Sequence, residues 1–360
     1  MKHLRFSIAS FLLTMSLACG SETETLPPPA DLQPALEAVV DGTIVPAFSN
    51  FAESVGLLEG AITNFCSDPS EASLGLAQQQ WRATAEVWNA AALYNIGPLD
   101  DDVIVPSILF VESMRQRGSD FTNTVQDAIE RDLGSDATLD GSFFDNLIFR
   151  EVGLLALEIL LFQDTAEEPS TDPVDVVADF TARGRKCAYA EGMADLLRRR
   201  AERVESGWTT AFLDTGRPFR DLLLEGELED GSDPIVETLV AVIRHVEYLR
   251  RRKLQALPDA QLAGSFYDNI QVGVAAVRSF LDADTSMTAT TDTFYDAMRA
   301  NDRAEAIDVV NGILAEADAA ALAADQSRSA AAFLALETAL RRDVPIALRI
   351  DIGLTFTDGD

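Results

Sequence analysis

The sequence predicts an all-α protein made of two related helical bundles, and three observations carry that expectation. Apolar residues recur at helical spacing over long stretches, as in Leu32, Leu36, Val39 and Val40, then Phe48, Phe51, Val55, Leu58 and Ile62. No stretch alternates apolar and polar residues as a half-buried strand would. The hexamer Gly141-Ser142-Phe143-Phe144-Asp145-Asn146 returns almost unchanged as Gly264-Ser265-Phe266-Tyr267-Asp268-Asn269. That offset exceeds any solenoid period. It fits a duplication in which each half supplies an equivalent helix, although a shared helix-start signal would leave the same trace.

Taken in order, residues 1–18 read as a secretion signal. Lys2, His3 and Arg5 precede an apolar run from Phe6 to Leu17 that is too short for a stable membrane span. Ser16-Leu17-Ala18-Cys19 resembles a bacterial lipobox, with Ser16 where leucine is usual. Cys19 is therefore expected to be the mature, lipid-bearing (palmitate-carrying) N-terminus; cleavage of an ordinary signal nearby is the alternative. Gly20, rather than Asp, after the cysteine favours the outer membrane, facing the periplasm, by analogy with lipoproteins. Residues 19–30 are polar and proline-rich and read as a tether.

The folded part is expected over 31–360. Pro46 should kink or restart the first helical stripe. Leu74 to Tyr94 forms a helix with Trp81 and Trp88 on one face, ended by Gly97-Pro98 and the acidic run Asp100-Asp101-Asp102. Aromatic packing accounts for both tryptophans. The acidic run reads as a solvated turn, with a hard-cation site at one of its carboxylates as the alternative.

Residues 141–163, GSFFDNLIFREVGLLALEILLFQ, read as one central helix from Phe143 to Phe162, apolar on nearly every face and so buried all round. It carries Glu151 and Glu158, two turns apart and on the same side, with Leu155 between them. Buried carboxylates must be paired, hydrogen-bonded, protonated or metal-bound; the plainer reading is that both reach the rim of the core or meet arginines from neighbouring helices. The acidic, proline-bearing stretch 165–173 suggests a division into halves 31–168 and 172–360.

Composition narrows the function. Lys and Arg number 28 against 59 Asp and Glu, a net charge of −31. Such a chain repels nucleic acid and suits cations or a basic partner. Removal of the signal leaves one histidine, His245, which excludes a site built on several histidines and reads as a core or surface residue. Cys66 and Cys187 either form a disulfide or stay as core thiols. The sequence has no GxSxG, nucleotide loop or HExxH.

Gly153-Leu154-Leu155-Ala156-Leu157-Glu158 resembles the GxHxxE motif of the imelysin-like family, the insulin-cleaving membrane protease and iron-regulated protein A-like lipoproteins. Where that family reads roughly GFHAIEYLLF, this chain reads GLLALEILLF. Trp81, Trp88, Gly97 and Pro98 also match a tryptophan-spaced helix ending in a GP turn. The resemblance implies an imelysin-like domain, a family peptidase label and a link to iron uptake at the envelope. The motif histidine falls on Leu155, so the family's proposed metal ligand is missing. The expectation is an envelope-anchored, non-catalytic binding lipoprotein in iron or other metal uptake. Glu158, Glu151 and Asp100 are the candidate ligands of a hard cation such as iron or calcium. A metallopeptidase is one alternative, and an adaptor presenting an acidic surface to an envelope protein is the other.

Overall fold

Every regular element among the described residues is helical. The computed structural model describes residues 28–116, 119–166, 168–256, 260–283 and 293–353. The signal segment, Cys19 and most of the tether lie outside them. No helix among the described residues is long and apolar enough to cross a membrane.

The chain enters through α1 (Gln33–Val39) and passes by a π-helical turn, Val40–Ile44, directly into α2 (Val45–Ser67). Pro46 lies in the first turn of α2, where its missing N–H is tolerated. A capping box between Ser70 and Ser73 starts α3 (Glu71–Ala91). A 3₁₀ turn at Gly97–Leu99 leads to α4 (Ser107–Val111), a second 3₁₀ turn at Ser113–Arg115 and α5 (Thr122–Leu133).

The single central helix expected from Phe143 to Phe162 does not form. The segment divides into α6 (Gly141–Asp145), a 3₁₀ turn at Phe149–Glu151 and α7 (Leu154–Phe162). Gly153 is the cause: its φ of 89° lies in a region that L residues rarely adopt. Glu151 and Glu158 therefore sit on different elements, and the two-turn spacing that placed them on one face does not apply.

Beyond α7 come α8 (Pro173–Ala182), α9 (Gly184–Thr209), α10 (Phe219–Leu224) and α11 (Pro234–Tyr248). A second π-helical turn, Leu249–Lys253, runs into α12 (Leu254–Ala256). The set closes with α13 (Phe266–Leu281), α14 (Phe294–Ala300), α15 (Ala304–Leu322) and α16 (Gln326–Leu348). The repeated hexamer opens a helix in both places, as a duplication would require. The second of these helices is the long one, 16 residues against five.

Helix packing gives two bundles. In the first, α2 lies against α3 and α9, and α7 lies against α3 and α9. In the second, α15 packs between α13 and α16, and α16 takes α11. Contact between α3 and α13 joins them. A disulfide between Cys66 and Cys187, with Cα atoms 5.4 Å apart, ties the end of α2 to the start of α9. By packing, then, α9 belongs to the first bundle. α10 packs on α9 and α1 as well.

Candidate functional site

The motif helix α7 is held on three sides. At its start, a Cβ on Gly153 would sit 2.5 Å from the Val111 carbonyl oxygen, so the glycine lets α7 and α4 meet backbone to backbone. Trp81 of α3 donates its indole N–H to the Leu154 carbonyl at 3.0 Å. In its middle, Glu158 is 2% exposed and accepts the Ala263 N–H at 3.0 Å. Arg82 of α3 donates to the carbonyl of the same Ala263 at 2.8 Å. Two first-bundle side chains thus take both backbone polar groups of one second-bundle residue.

Leu155 is the one residue of α7 that is not fully buried. With Leu154 it lines a cavity of about 30 Å³ whose walls include Glu112, Met114, Asp120 and Phe121. That volume is on the order of a single water.

Glu112 is the second centre of charge, at the break between α4 and the following 3₁₀ turn. It is 7% exposed. One carboxylate oxygen takes the Lys253 ammonium at 2.7 Å and the Tyr248 hydroxyl at 2.8 Å. The other takes the Trp88 indole N–H at 3.0 Å and the Arg115 guanidinium at 3.5 Å. Burial alone would raise the Glu112 pKa. The charges of Lys253 and Arg115, with hydrogen bonds from Lys253 and Tyr248, outweigh burial and hold it well below the usual carboxylate range. Lys253, 1% exposed, also donates to Asn89 at 3.1 Å. The π-helical turn supplies Lys253, so the irregular winding at the end of α11 is what delivers the ammonium.

Arg115 continues the network. It stacks 4.2 Å from the Tyr248 ring, donates to the Ala92 carbonyl at 3.1 Å and meets His245 Nδ1 at 2.5 Å. A guanidinium only donates, so Nδ1 accepts and the imidazole is neutral with its proton on Nε2. Burial first, and then the Arg115 charge, hold the His245 pKa well below its ordinary value. The Ala92 carbonyl weighs weakly the other way, but no hydrogen bond of good geometry reaches Nε2.

The remaining sequence candidates have separate environments. Glu151 pairs with Arg131 at 3.0 Å. Asp100 stays solvent-exposed at a crowded surface; lost solvation raises its pKa, Arg244 draws it down and Asp101 pushes it up again. Asp101 accepts the N–H and hydroxyl of Ser107, and Asp102 accepts the N–H groups of Ile104 and Val105, so these two serve the turn. Among the described residues no three His, Cys, Asp or Glu side chains gather as a metal site requires. Glu158, Glu151 and Asp100 are not one ligand set.

Gly97 and Pro98 act in packing. Gly97 has a φ of 52° and leaves no room for a Cβ against the Phe219 ring, while Pro98 fills the space that Gly207 of α9 leaves open. Glu112, Arg115, Tyr248 and Lys253 were not singled out in the sequence. The one available signal was a carboxylate directly after the apolar run Ile108-Leu109-Phe110-Val111.

Fold and site together define a two-bundle helical protein whose bundles are joined by buried polar contacts around a glycine-opened motif helix. The chain belongs to the imelysin family: the family model described as Imelysin matches residues 44–343. Its fold is similar to that of an imelysin-like protein from Psychrobacter arcticum 273-4, at 17% identity and a TM-score of 0.69, covering 91% of this chain and 99% of that one. It is also similar to a putative iron-regulated protein A precursor from Parabacteroides distasonis ATCC 8503, at 12% identity and a TM-score of 0.61, covering 91% and 97%. No curated protein matches the chain significantly.

Proposed function

We propose that this chain is a non-catalytic imelysin-family protein of the bacterial cell envelope, held by a lipid on Cys19, that serves iron acquisition as a binding component. Leu155 carries the reading. It stands where the motif histidine is expected, beside a cavity of about 30 Å³, while Glu158 is committed to the backbone of the other bundle. An aliphatic side chain neither ligates a metal nor moves a proton; of the two carboxylates in the cavity wall, Glu112 is already held by cations and Asp120 accepts the Thr122 N–H.

Iron enters through the Parabacteroides distasonis relative, whose description names iron regulation. The envelope placement rests on residues 1–19 and on the tether that follows them. Deletion of the gene is expected to slow growth under iron starvation and leave growth in iron-replete medium unchanged. The full chain should rescue that defect, and a Cys19→Ala chain should not. Equal growth of deletion and parent strains under starvation would contradict the iron reading. Full rescue by Cys19→Ala would contradict the lipid anchor.

A further inference from the structure

Helix α13 runs along the join between the bundles, and one of its faces opens into two hollows in succession. The first, of about 440 Å³, is lined by Tyr267, Asp268 and Gln271 of α13 together with Ala321 and Leu322 at the end of α15. The second, of about 460 Å³, is lined by Val272, Ala275 and Ser279 of α13 together with Glu86 and Ala90 of α3 and Pro46 of α2. Residues 268, 271, 272, 275 and 279 step by three and four, so they form one face of the helix. From Asp268 to Ala275 is two turns, about 10 Å. The first hollow is walled by the second bundle alone, and the second lies between the two bundles.

The surfaces of the two hollows have the same character. Their walls are mostly small and apolar, and Leu322 stands 76% exposed at the rim of the first. Each hollow holds one carboxylate without an ion pair among the described residues, Asp268 in the first and Glu86 in the second. Burial, and then the nearby charge of Asp268, raise the Glu86 pKa, so these two carboxylates feel each other across the strip. A cation placed between them relieves that repulsion. The chain as a whole carries a net charge of −31.

We infer that the exposed face of α13 is a docking surface for a basic amphipathic helix of a protein partner. Apolar side chains at positions i and i+7 of such a helix are about 10 Å apart and match the two hollows. Lys or Arg side chains beside them meet Glu86 and Asp268. A partner seated this way touches both bundles at once and holds their relative position. Charge complementarity would also speed encounter and make it sensitive to salt.

The test uses the mature full chain and a fluorescent Leu/Lys amphipathic helix about 14 residues long, four turns. Binding is read by anisotropy at low and high ionic strength. A peptide of identical composition in scrambled order serves as the control. The amphipathic peptide is expected to bind one to one and more tightly than the scrambled one. Ala275→Trp, which fills the second hollow from an exposed position, and Leu322→Lys, which replaces the apolar rim of the first by a repelling charge, should each weaken binding about tenfold. Leu57→Lys changes an exposed leucine on another surface and should leave binding intact. The inference is overturned by equal affinity for the scrambled peptide, by binding in several copies, by indifference to Ala275→Trp and Leu322→Lys, or by equal loss with Leu57→Lys.

Discussion

Two carboxylates are buried where the bundles meet, and the protein accommodates them differently. Glu158 lies in an apolar helix and is held by a backbone amide, with Arg82 gripping the carbonyl of the same residue. Glu112 lies at a helix break and is held by two side-chain cations, a phenol and an indole. The first arrangement depends on two helices and one loop meeting at a fixed distance. The second depends on four side chains converging from α3, the turn after α4, α11 and a π-helical turn. The motif helix therefore acts as a clasp in the backbone, while the charged cluster is a side-chain network whose parts fail separately.

The largest expected effect comes from breaking that network. Glu112→Leu leaves Lys253 and Arg115 without their shared carboxylate and is expected to cost about 3–5 kcal/mol of stability by urea denaturation. Adding Lys253→Met should recover part of the loss, because the two residues are coupled. Additive losses would mean that the pair acts independently and would remove the contrast with Glu158. Next comes the clasp: Gly153→Ala forces a Cβ against the Val111 carbonyl at a φ of 89° and should cost about 2–4 kcal/mol. A loss below about 0.5 kcal/mol, the range of ordinary surface changes, would show that α7 and α4 are not locked together.

A smaller effect follows from His245. Its imidazole is held neutral in the folded protein, whereas in the unfolded chain it takes up a proton near pH 6.5. Stability should therefore fall as pH drops below about 6.5, with a slope approaching 1.4 kcal/mol per pH unit. Glu112 has a depressed pKa in the fold, so its contribution is intact above about pH 4.3 and is lost only below it. Denaturation curves at pH 7.5, 6 and 5 should show the slope in the parent chain and lose it in His245→Gln. An unchanged slope in that variant would assign the pH dependence elsewhere.

These two regions differ in how legible they were. Helical periodicity and the absence of strand patterning were sufficient for the all-α class, whereas the apolar surroundings of Glu158 marked it as unusual without telling a carboxylate at the rim or beside an arginine from one held by a backbone amide. The break at Gly153 was not legible, because apolar residues continue on both sides and an isolated glycine is tolerated in helices. The motif resemblance named Gly153, yet only the close approach of the Val111 carbonyl explains why no side chain fits there. Glu112 and Lys253 were hidden for another reason. Each sits at an irregularity, a helix break and a π-helical turn, where periodicity carries no information about direction. Lys253 also ends the run Arg250-Arg251-Arg252-Lys253, in which no single cation stands out. Linker composition carried no sign that α9 packs on α2 and is tied to it by a disulfide.

The most direct measurement of the central claim is proteolysis by the purified mature chain on a denatured protein substrate, with added zinc and with a chelator. With Leu155 in the motif position and Glu158 held by Ala263, no metal-dependent cleavage is expected, and none should appear in Glu158→Gln. Cleavage by the parent chain that the chelator stops and Glu158→Gln abolishes would show that α7 still performs hydrolysis, against the role assigned to it.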